Sequence, residues 1–405
     1  MSIRVLVVDD SAFMRHALSR LLADAGGIEV VGAAANGELG LEMARSLRPD
    51  VVTLDVEMPV LDGLGMLRRL MVEQPTRVIM LSSLTTDGAR VTLDALDAGA
   101  IDFVAKPGGS LSIDIGQVGA ELVTKVRAAA IMPEASWLAF RMRTGRKAGG
   151  SASGRLPATV SVAGGAVPAS SAAAAGGAGA VGLSPRRVVP AIGRKLVVIA
   201  SSTGGPSALQ AVVSGLPNPL GAGVLIVQHL PAGFSASLAA RLSNAGALPA
   251  VEAANGDIVT LDQIALAPGD DHMISSISGR IQLVSLPTLH GVRPAADITL
   301  QSVAPVWRER LLCVVLTGMG FDGRDGARAV RDHGGTVFAQ DEATSTIFGM
   351  PRAVIEDDLA DRVLPLNGMA AAIARWAQSG SVTTAETSVR LAASAQTPGG
   401  PLQAR

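Results

Sequence analysis

The segment from about residue 145 to 190, which includes "GGSASGRLPATVSVAGGAVPASSAAAAGGAGAVGLSP", constrains this chain more than any other. It is dominated by Gly, Ala, Ser and Pro and holds no aromatic residue. It therefore lacks the large side chains whose burial offsets the entropy of ordering a backbone. One hydrophobic core cannot run through it, and the chain is expected to fold as two units joined by a flexible linker. A length of 405 residues, more than a single ordinary core serves, agrees. The expected organisation is residues 1–130 for the first unit, 131–192 for a mostly flexible linker, 193–378 for the second unit and 379–405 for a disordered tail. Just before the glycine-rich run, "WLAFRMRTGRK" spaces apolar and basic residues at helical intervals, as either a short docking helix or a plain helix end would.

Each unit alternates strand-like and helix-like patterns. In the first, "IRVLVVD", "IEVVGAA", "DVVTLDV", "RVIMLSS" and "AIDFVAK" are short apolar runs. Ser11 stands where it would cap a helix with Met14, Ala17, Leu18, Leu21, Leu22 and Ala25 on one face. In the second, "KLVVIA", "GVLIVQH" and "LLCVVLTG" read as buried strands, with helical patterns after the first two. Both units are expected to be α/β, with doubly wound parallel sheets. The middle of the second unit, "DIVTLDQIALAPGDDHMISSISGRIQLVS", alternates more like antiparallel strands. No repeat of solenoid period is present.

Composition removes several function classes. A net charge of −1 provides no strong field toward nucleic acid or an anionic membrane, and no basic recognition helix appears in the second half. The single cysteine, Cys313, lies inside an apolar run and is expected to be a core side chain. No disulfide can form within the chain, which fits a reducing compartment. The start, "MSIRVLVVDD", lacks the features of a secretory signal, and no apolar run approaches the ~20 residues of a membrane helix. A cytoplasmic location without membrane insertion is expected.

In the first unit, acid and base groups stand at strand ends: Asp9 and Asp10, Asp55, and Lys106. The carboxyl edge of a doubly wound sheet is its ligand crevice. Three carboxylates there repel one another unless a cation lies between them, and a hard divalent ion such as Mg²⁺ suits oxygen ligands. Lys106, Ser82 and Ser83 would face an anion bound beside it. Alone, any of these acids would as readily cap a turn. The segments "VLVVDDSAFMR", "VVTLDVEMPVLDGLGML", "RVIMLSS" and "ALDAGAIDFVAKP" resemble the receiver domain of two-component response regulators over about residues 1–125. The resemblance implies that Asp55 accepts a phosphoryl group from a histidine kinase. It implies Mg²⁺ held by Asp10, Asp55 and the backbone carbonyl of Glu57, with Asp9 assisting. Lys106 would pair with phosphoryl oxygens, Ser82 would be the switch hydroxyl, and Phe103 stands at the family's mobile aromatic position.

The second unit raises a sharper question, because "KLVVIASSTGGPSAL" ends an apolar strand on Ser201-Ser202-Thr203 and two glycines. A helix beginning near Pro206 would aim free N–H groups at these hydroxyls, ready for a carboxylate or an oxyanion. The sequence lacks the Gly-Lys-Ser/Thr ending of a P-loop and the Gly-x-Gly-x-x-Gly of a dinucleotide fold. His229 ends a second strand, and Asp322 follows a third within "LTGMGFDG". Parallel neighbours would bring Ser202, His229 and Asp322 to one rim, as nucleophile, base and orienting acid. On pattern alone an exposed histidine and a turn aspartate remain open. A zinc site from His229, His272 and His290 has no short ligand spacing to favour it.

"SSTGGPSAL", "QHLPAGFSASLAARL", "APGDDHM", "LTGMGFDGRDGA" and "QDEATSTIFGMPRAV" closely resemble the catalytic domain of CheB-type protein-glutamate methylesterases of chemotaxis. The resemblance implies Ser202 as nucleophile, because the family's serine directly precedes Thr-Gly-Gly, with His229 as base and Asp322 as its partner. Thr203 and the backbone at Met319 would line the site and assist the oxyanion, with no cofactor for the esterase. The implied reaction is hydrolysis of glutamate γ-methyl esters on the cytoplasmic helices of methyl-accepting chemoreceptors, together with deamidation of receptor glutamines. The histidine kinase CheA would be the phosphodonor, and phosphorylation would relieve a block by the receiver. His272, His290 and Arg293 carry polar groups that could approach the substrate. A non-enzymatic regulator is the alternative class.

Overall fold

The computed structural model describes residues 2–83, 85–106, 114–148 and 190–379. Most of the expected flexible linker and nearly all of the expected tail lie outside the described residues.

The first unit is a five-stranded parallel sheet in the order β2-β1-β3-β4-β5. Its strands are β1 (Ile3–Val8), β2 (Ile28–Ala34), β3 (Val51–Asp55), β4 (Arg77–Ser82) and β5 (Asp102–Ala105). Between and after them run α1 (Ala12–Asp24), α2 (Gly37–Leu47), α3 (Gly63–Glu73), α4 (Thr86–Ala98) and α5 (Asp114–Ala130). Helices on both faces bury the strands from both sides, which is why β1 and β3 read as near-continuous apolar runs. The Ser11 hydroxyl accepts from the Met14 N–H and caps α1.

The chain after α5 is not loose at once. Residues Glu134–Ala148 form α6, whose Trp137 and Phe140 are buried and stack with centroids 5.8 Å apart. Together with Met132 they close one face of the first core, and the Arg77 guanidinium lies over the Trp137 ring. The range expected to be mostly linker thus begins with an anchored helix, because its two large aromatic rings, a side-chain type absent from the glycine-rich sequence, supply apolar area to bury.

The second unit is a seven-stranded parallel sheet ordered β14-β13-β12-β6-β7-β9-β8. The elements are β6 (Lys195–Ser201), α7 (Gly205–Val213), β7 (Ala222–Gln228), α8 (Ser235–Ala245), β8 (Ala250–Glu252), β9 (Ile264–Leu266), β10 (His272–Ser275), β11 (Ile281–Val284), α9 (Ala296–Trp307), β12 (Leu311–Val315), α10 (Arg324–Asp332), β13 (Thr336–Gln340), α11 (Met350–Glu356), β14 (Arg362–Leu364) and α12 (Leu366–Gln378). Only part of the middle section is antiparallel. β10 and β11 form a separate two-stranded ribbon, but β9 joins the main sheet parallel to β7. Ile264 and Leu266 are fully buried there, and so short a strand cannot reveal its direction by alternation. The chain leaves β6 toward β7 and later returns to β12 on the other flank, so the crevice lies at the carboxyl ends of β12, β6 and β7.

The two units pack together. α4 and β5 of the first meet α7 and α8 of the second, where their apolar side chains merge into one buried cluster. α6 reaches the loop after β13 through Ser136 to the Glu342 carbonyl at 3.3 Å and Arg143 to Thr346 at 3.4 Å.

Candidate active site

The register of β6 and β7 pairs Ser201 with Gln228, so the next residues, Ser202 and His229, emerge side by side. Gln228 fixes this corner: its Oε1 accepts from Ser201 Oγ at 2.7 Å, and its Nε2 donates to the carbonyls of Ser202 at 2.9 Å and His229 at 3.1 Å. On the other flank, the Ser202 N–H donates to the Thr317 carbonyl at 3.0 Å, across from β6 to the end of β12. Ser201 is fully buried and engaged, whereas Ser202 is half-buried at the rim.

The glycines of the turn are steric requirements. Gly204 has φ +74, and a Cβ there would lie 2.4 Å from Thr346. A Cβ on Gly205 would lie 1.9 Å from Gln228 Oε1, which its hydrogen bonds hold in place. Gly205→Ala should therefore destabilise the protein by about 1–3 kcal/mol, as overpacking does. A thermal midpoint equal to wild type would show that Gln228 yields freely.

His229 Nε2 lies 2.7 Å from Asp322 Oδ2, and the acid is almost wholly buried. Two further donors hold that carboxylate: the N–H of Ala296 at 2.6 Å to Oδ2 and the N–H of Asp297 at 3.0 Å to Oδ1. Burial opposes ionisation of Asp322. The His229 hydrogen bond and charge, with the two backbone donors, outweigh it and hold the carboxyl below its usual range. Among the described residues no hydrogen bond joins Ser202 Oγ to the imidazole, so the three side chains share the rim without closing the full chain of contacts. Nucleophile–base contacts are commonly loose in the absence of substrate. A hydroxyl beside an imidazole steadied by a buried carboxylate is equipment for acyl transfer.

Other expected residues fall differently. The Thr203 hydroxyl donates to Asp102 Oδ2 of the first unit at 2.6 Å, so it is turned to the domain seam rather than toward an oxyanion. Met319 is half-buried on the loop after β12. Thr317 is buried and bonds the Thr203 carbonyl at 2.9 Å. His272 does not approach the rim: it is fully buried, accepts the Ala295 N–H on Nδ1 and reaches the Pro287 carbonyl through Nε2. Arg293 is tied to the Leu286 carbonyl of its own loop and to Asp270 of the β9–β10 loop. His290 lies beside Asp297, so the three histidines have separate partners and do not form a zinc site. Burial pushes the Cys313 thiol up, leaving it inert in β12. Gln228, Asp297 and Asp102 were not singled out from the sequence. Gln228 directly precedes His229, which was the available clue.

In the first unit, Lys106 Nζ lies 2.6 Å from Asp55 Oδ2 and 3.0 Å from Asp9 Oδ2. Burial pushes Asp55 up to about 6, against the pull of Lys106 and helped by the charge of Asp9. Burial works against the Lys106 ammonium, but Asp55 and Asp9 outweigh it and raise its pKa. Oxygens of Asp9, Asp10 and Asp55 lie within 4.8 Å of one another, and the partner of buried Asp9 Oδ2 is the Lys106 ammonium. A hard cation with oxygen ligands fits this donor set. The Glu57 N–H donates to Asp55 Oδ1 at 3.4 Å. Ser82 Oγ turns to the Gly88 carbonyl in the first turn of α4 and to Thr92 in the middle of that helix. Phe103 is buried and stacks on Phe234 of the second unit with centroids 4.5 Å apart.

Among the described residues no helix is long and apolar enough to cross a membrane. Residues 5–113 match the response regulator receiver domain, and residues 197–373 match the CheB methylesterase domain. A protein of Symbiobacterium thermophilum named protein-glutamate methylesterase/protein-glutamine glutaminase is 47% identical over 386 residues, covering 92% of this chain and 96% of its own. Proteins of the same name from Thermotoga maritima and Pyrococcus abyssi are 40% and 41% identical, covering 90% and 92% of this chain and 95% and 93% of their own.

Proposed function

The chain belongs to the protein-glutamate methylesterase/protein-glutamine glutaminase family, and on that footing we propose that it hydrolyses glutamate γ-methyl esters on chemoreceptor cytoplasmic helices through Ser202, His229 and Asp322. The observation that carries the reading is the 2.7 Å contact between His229 and buried Asp322, one strand end away from Ser202. Ser202 Oγ attacks the ester carbonyl carbon while His229 takes its proton. With Nε2 bound to Asp322, Nδ1 is the ring nitrogen left for the hydroxyl. The same proton goes to the departing methoxide as methanol, and water then releases the glutamate by the reverse roles. Deamidation of a receptor glutamine follows the same path with ammonia leaving. Met319 lines this site, and Thr203 reaches it only when the bond to Asp102 opens.

Asp55 is the phosphoryl acceptor, with a histidine kinase of the CheA type as donor. Asp10, Asp55 and the Glu57 carbonyl, with Asp9 assisting, would hold Mg²⁺, which would supply charge neutralisation there when bound. Lys106, which pairs with Asp55, turns to the phosphoryl oxygens. Phosphorylation then loosens the packing of the receiver on the catalytic unit, in keeping with a buried Phe103–Phe234 seam beside the switch residues. The test is methanol release from methylated receptor membranes, with and without a small phosphodonor. We expect at least a severalfold stimulation that Asp55→Asn removes. Equal rates would end the gating claim, and no methanol in either condition would end the esterase reading.

A further inference from the structure

Asp297 has no part in the chemistry above, yet it is fully buried and both its carboxylate oxygens have partners. Oδ1 accepts from the N–H groups of Gly323 at 2.9 Å and Gly326 at 2.7 Å, and Oδ2 lies 3.1 Å from His290 Nε2. Those glycine N–H groups belong to the start of α10, whose N-cap, Gly323, has no side chain to cap with. The start of α9 has the same defect, since Ala295 stands at its N-cap. There Asp322 does the work, accepting from Ala296 and Asp297. Each acid therefore caps the other's helix.

This exchange brings two buried carboxylates together. Burial first, then the charge of Asp322, pushes Asp297 up to about 6, while Asp322 is held low. A plain cap would not require that repulsion, because a neutral side chain on either helix would satisfy the same N–H groups. What the second carboxylate adds is a rigid frame: the peptide on the C-terminal side of Asp322 is tied to α9, and α9 is tied back to the Asp322 carboxylate. His290 extends the frame. Its ring sits edge-on to Phe321, the residue before Asp322, with centroids 4.5 Å apart. The loop carrying Asp322 is thus gripped on both sides.

We infer that Asp297 and His290 form a positioning pair, which acts through Asp322 to hold its carboxylate on the His229 imidazole. The inference rests on the reading of Asp322 as the imidazole's partner. Neither residue touches the ester; their effect is on orientation, where a displacement of about 1 Å costs on the order of 10²-fold.

The full-length protein, activated with a phosphodonor, supplies the test. Asp297→Ala should lower kcat by about 10²-fold with little change in KM. Asp297→Asn keeps an amide oxygen for Gly323 and Gly326 and should recover about tenfold of that loss. His290→Gln, at a half-exposed position, should lower kcat by about threefold to tenfold and serves where Asp297→Ala does not fold. The low-field imidazole N–H proton resonance, assigned by its loss in His229→Gln, reports the His229–Asp322 bond directly. It should shift or broaden in Asp297→Ala and in His290→Gln. Wild-type kcat with an unmoved resonance in a folded variant would overturn the pair's role, provided Asp322→Ala is inactive. An Asp322→Ala protein with full turnover would instead overturn the underlying reading of the site.

Discussion

Replacing Ser202 with alanine will lower methanol release by about 10⁶-fold, the scale on which loss of a triad nucleophile acts, while Asp55 still takes up a phosphoryl group. The size follows from the lack of a substitute. Ser201 is adjacent in sequence, but it belongs to β6, is fully buried, and its hydroxyl is committed to Gln228 Oε1 at 2.7 Å. Thr203 is turned away into the seam, bonded to Asp102. Freeing Ser201 would leave buried Gln228 Oε1 unpaired, at about 1–3 kcal/mol, and freeing Thr203 would break its 2.6 Å bond to Asp102; neither change would aim the hydroxyl at His229. Alanine at position 202 removes no hydrogen bond that holds the corner, because Ser202 contributes there through its backbone N–H and carbonyl. The variant should keep its thermal midpoint and fail to react with a serine-directed phosphonate. Turnover above about 1% of wild type would mean that another group attacks the ester.

Much of this was legible because buried parallel strands read as unbroken apolar runs. Their ends are where the polar residues appear: Asp9, Asp55 and Lys106 in one sheet, Ser202 and His229 in the other. What stayed hidden has a common physical origin. Gln228, His272 and Asp297 take their main partners from backbone groups of distant segments, and a backbone N–H or carbonyl leaves no mark on the sequence that pairs with it. His272 therefore read as a group available to substrate, although it is buried between Ala295 and Pro287. The orientation of Thr203 was hidden for a different reason. It depends on Asp102, which belongs to the other unit and is brought near only by domain packing. The helical spacing of "WLAFRMRTGRK" was legible, but whether that helix docks was not, because the burial of Trp137 and Phe140 depends on the core they meet.

The seam between the units carries the other large effect. Arg241 of α8 reaches across to α4, where it pairs with Asp94, with Asp97 Oδ2 at 2.8 Å, and with the Arg90 carbonyl at 2.9 Å. Gln210 of α7 adds a bond to Asp97 Oδ1 at 3.1 Å. Arg241→Ala removes the cation and leaves two carboxylates of α4 facing the catalytic unit without it. The arginine is largely covered but Asp94 is nearly half exposed, so the full value of a buried pair does not apply. A net loss of about 2 kcal/mol is reasonable for charge-assisted bonds of this kind, a factor of roughly 30 in the closed–open equilibrium. If packing of the receiver limits access to Ser202, the unphosphorylated variant should release methanol at least about fivefold faster than wild type, within that limit. The phosphodonor should then add correspondingly less, and the fully activated rate should stay where it was, since Arg241 touches neither Ser202 nor His229. A basal rate unchanged by Arg241→Ala, with stimulation intact, would show that this seam does not hold the enzyme back.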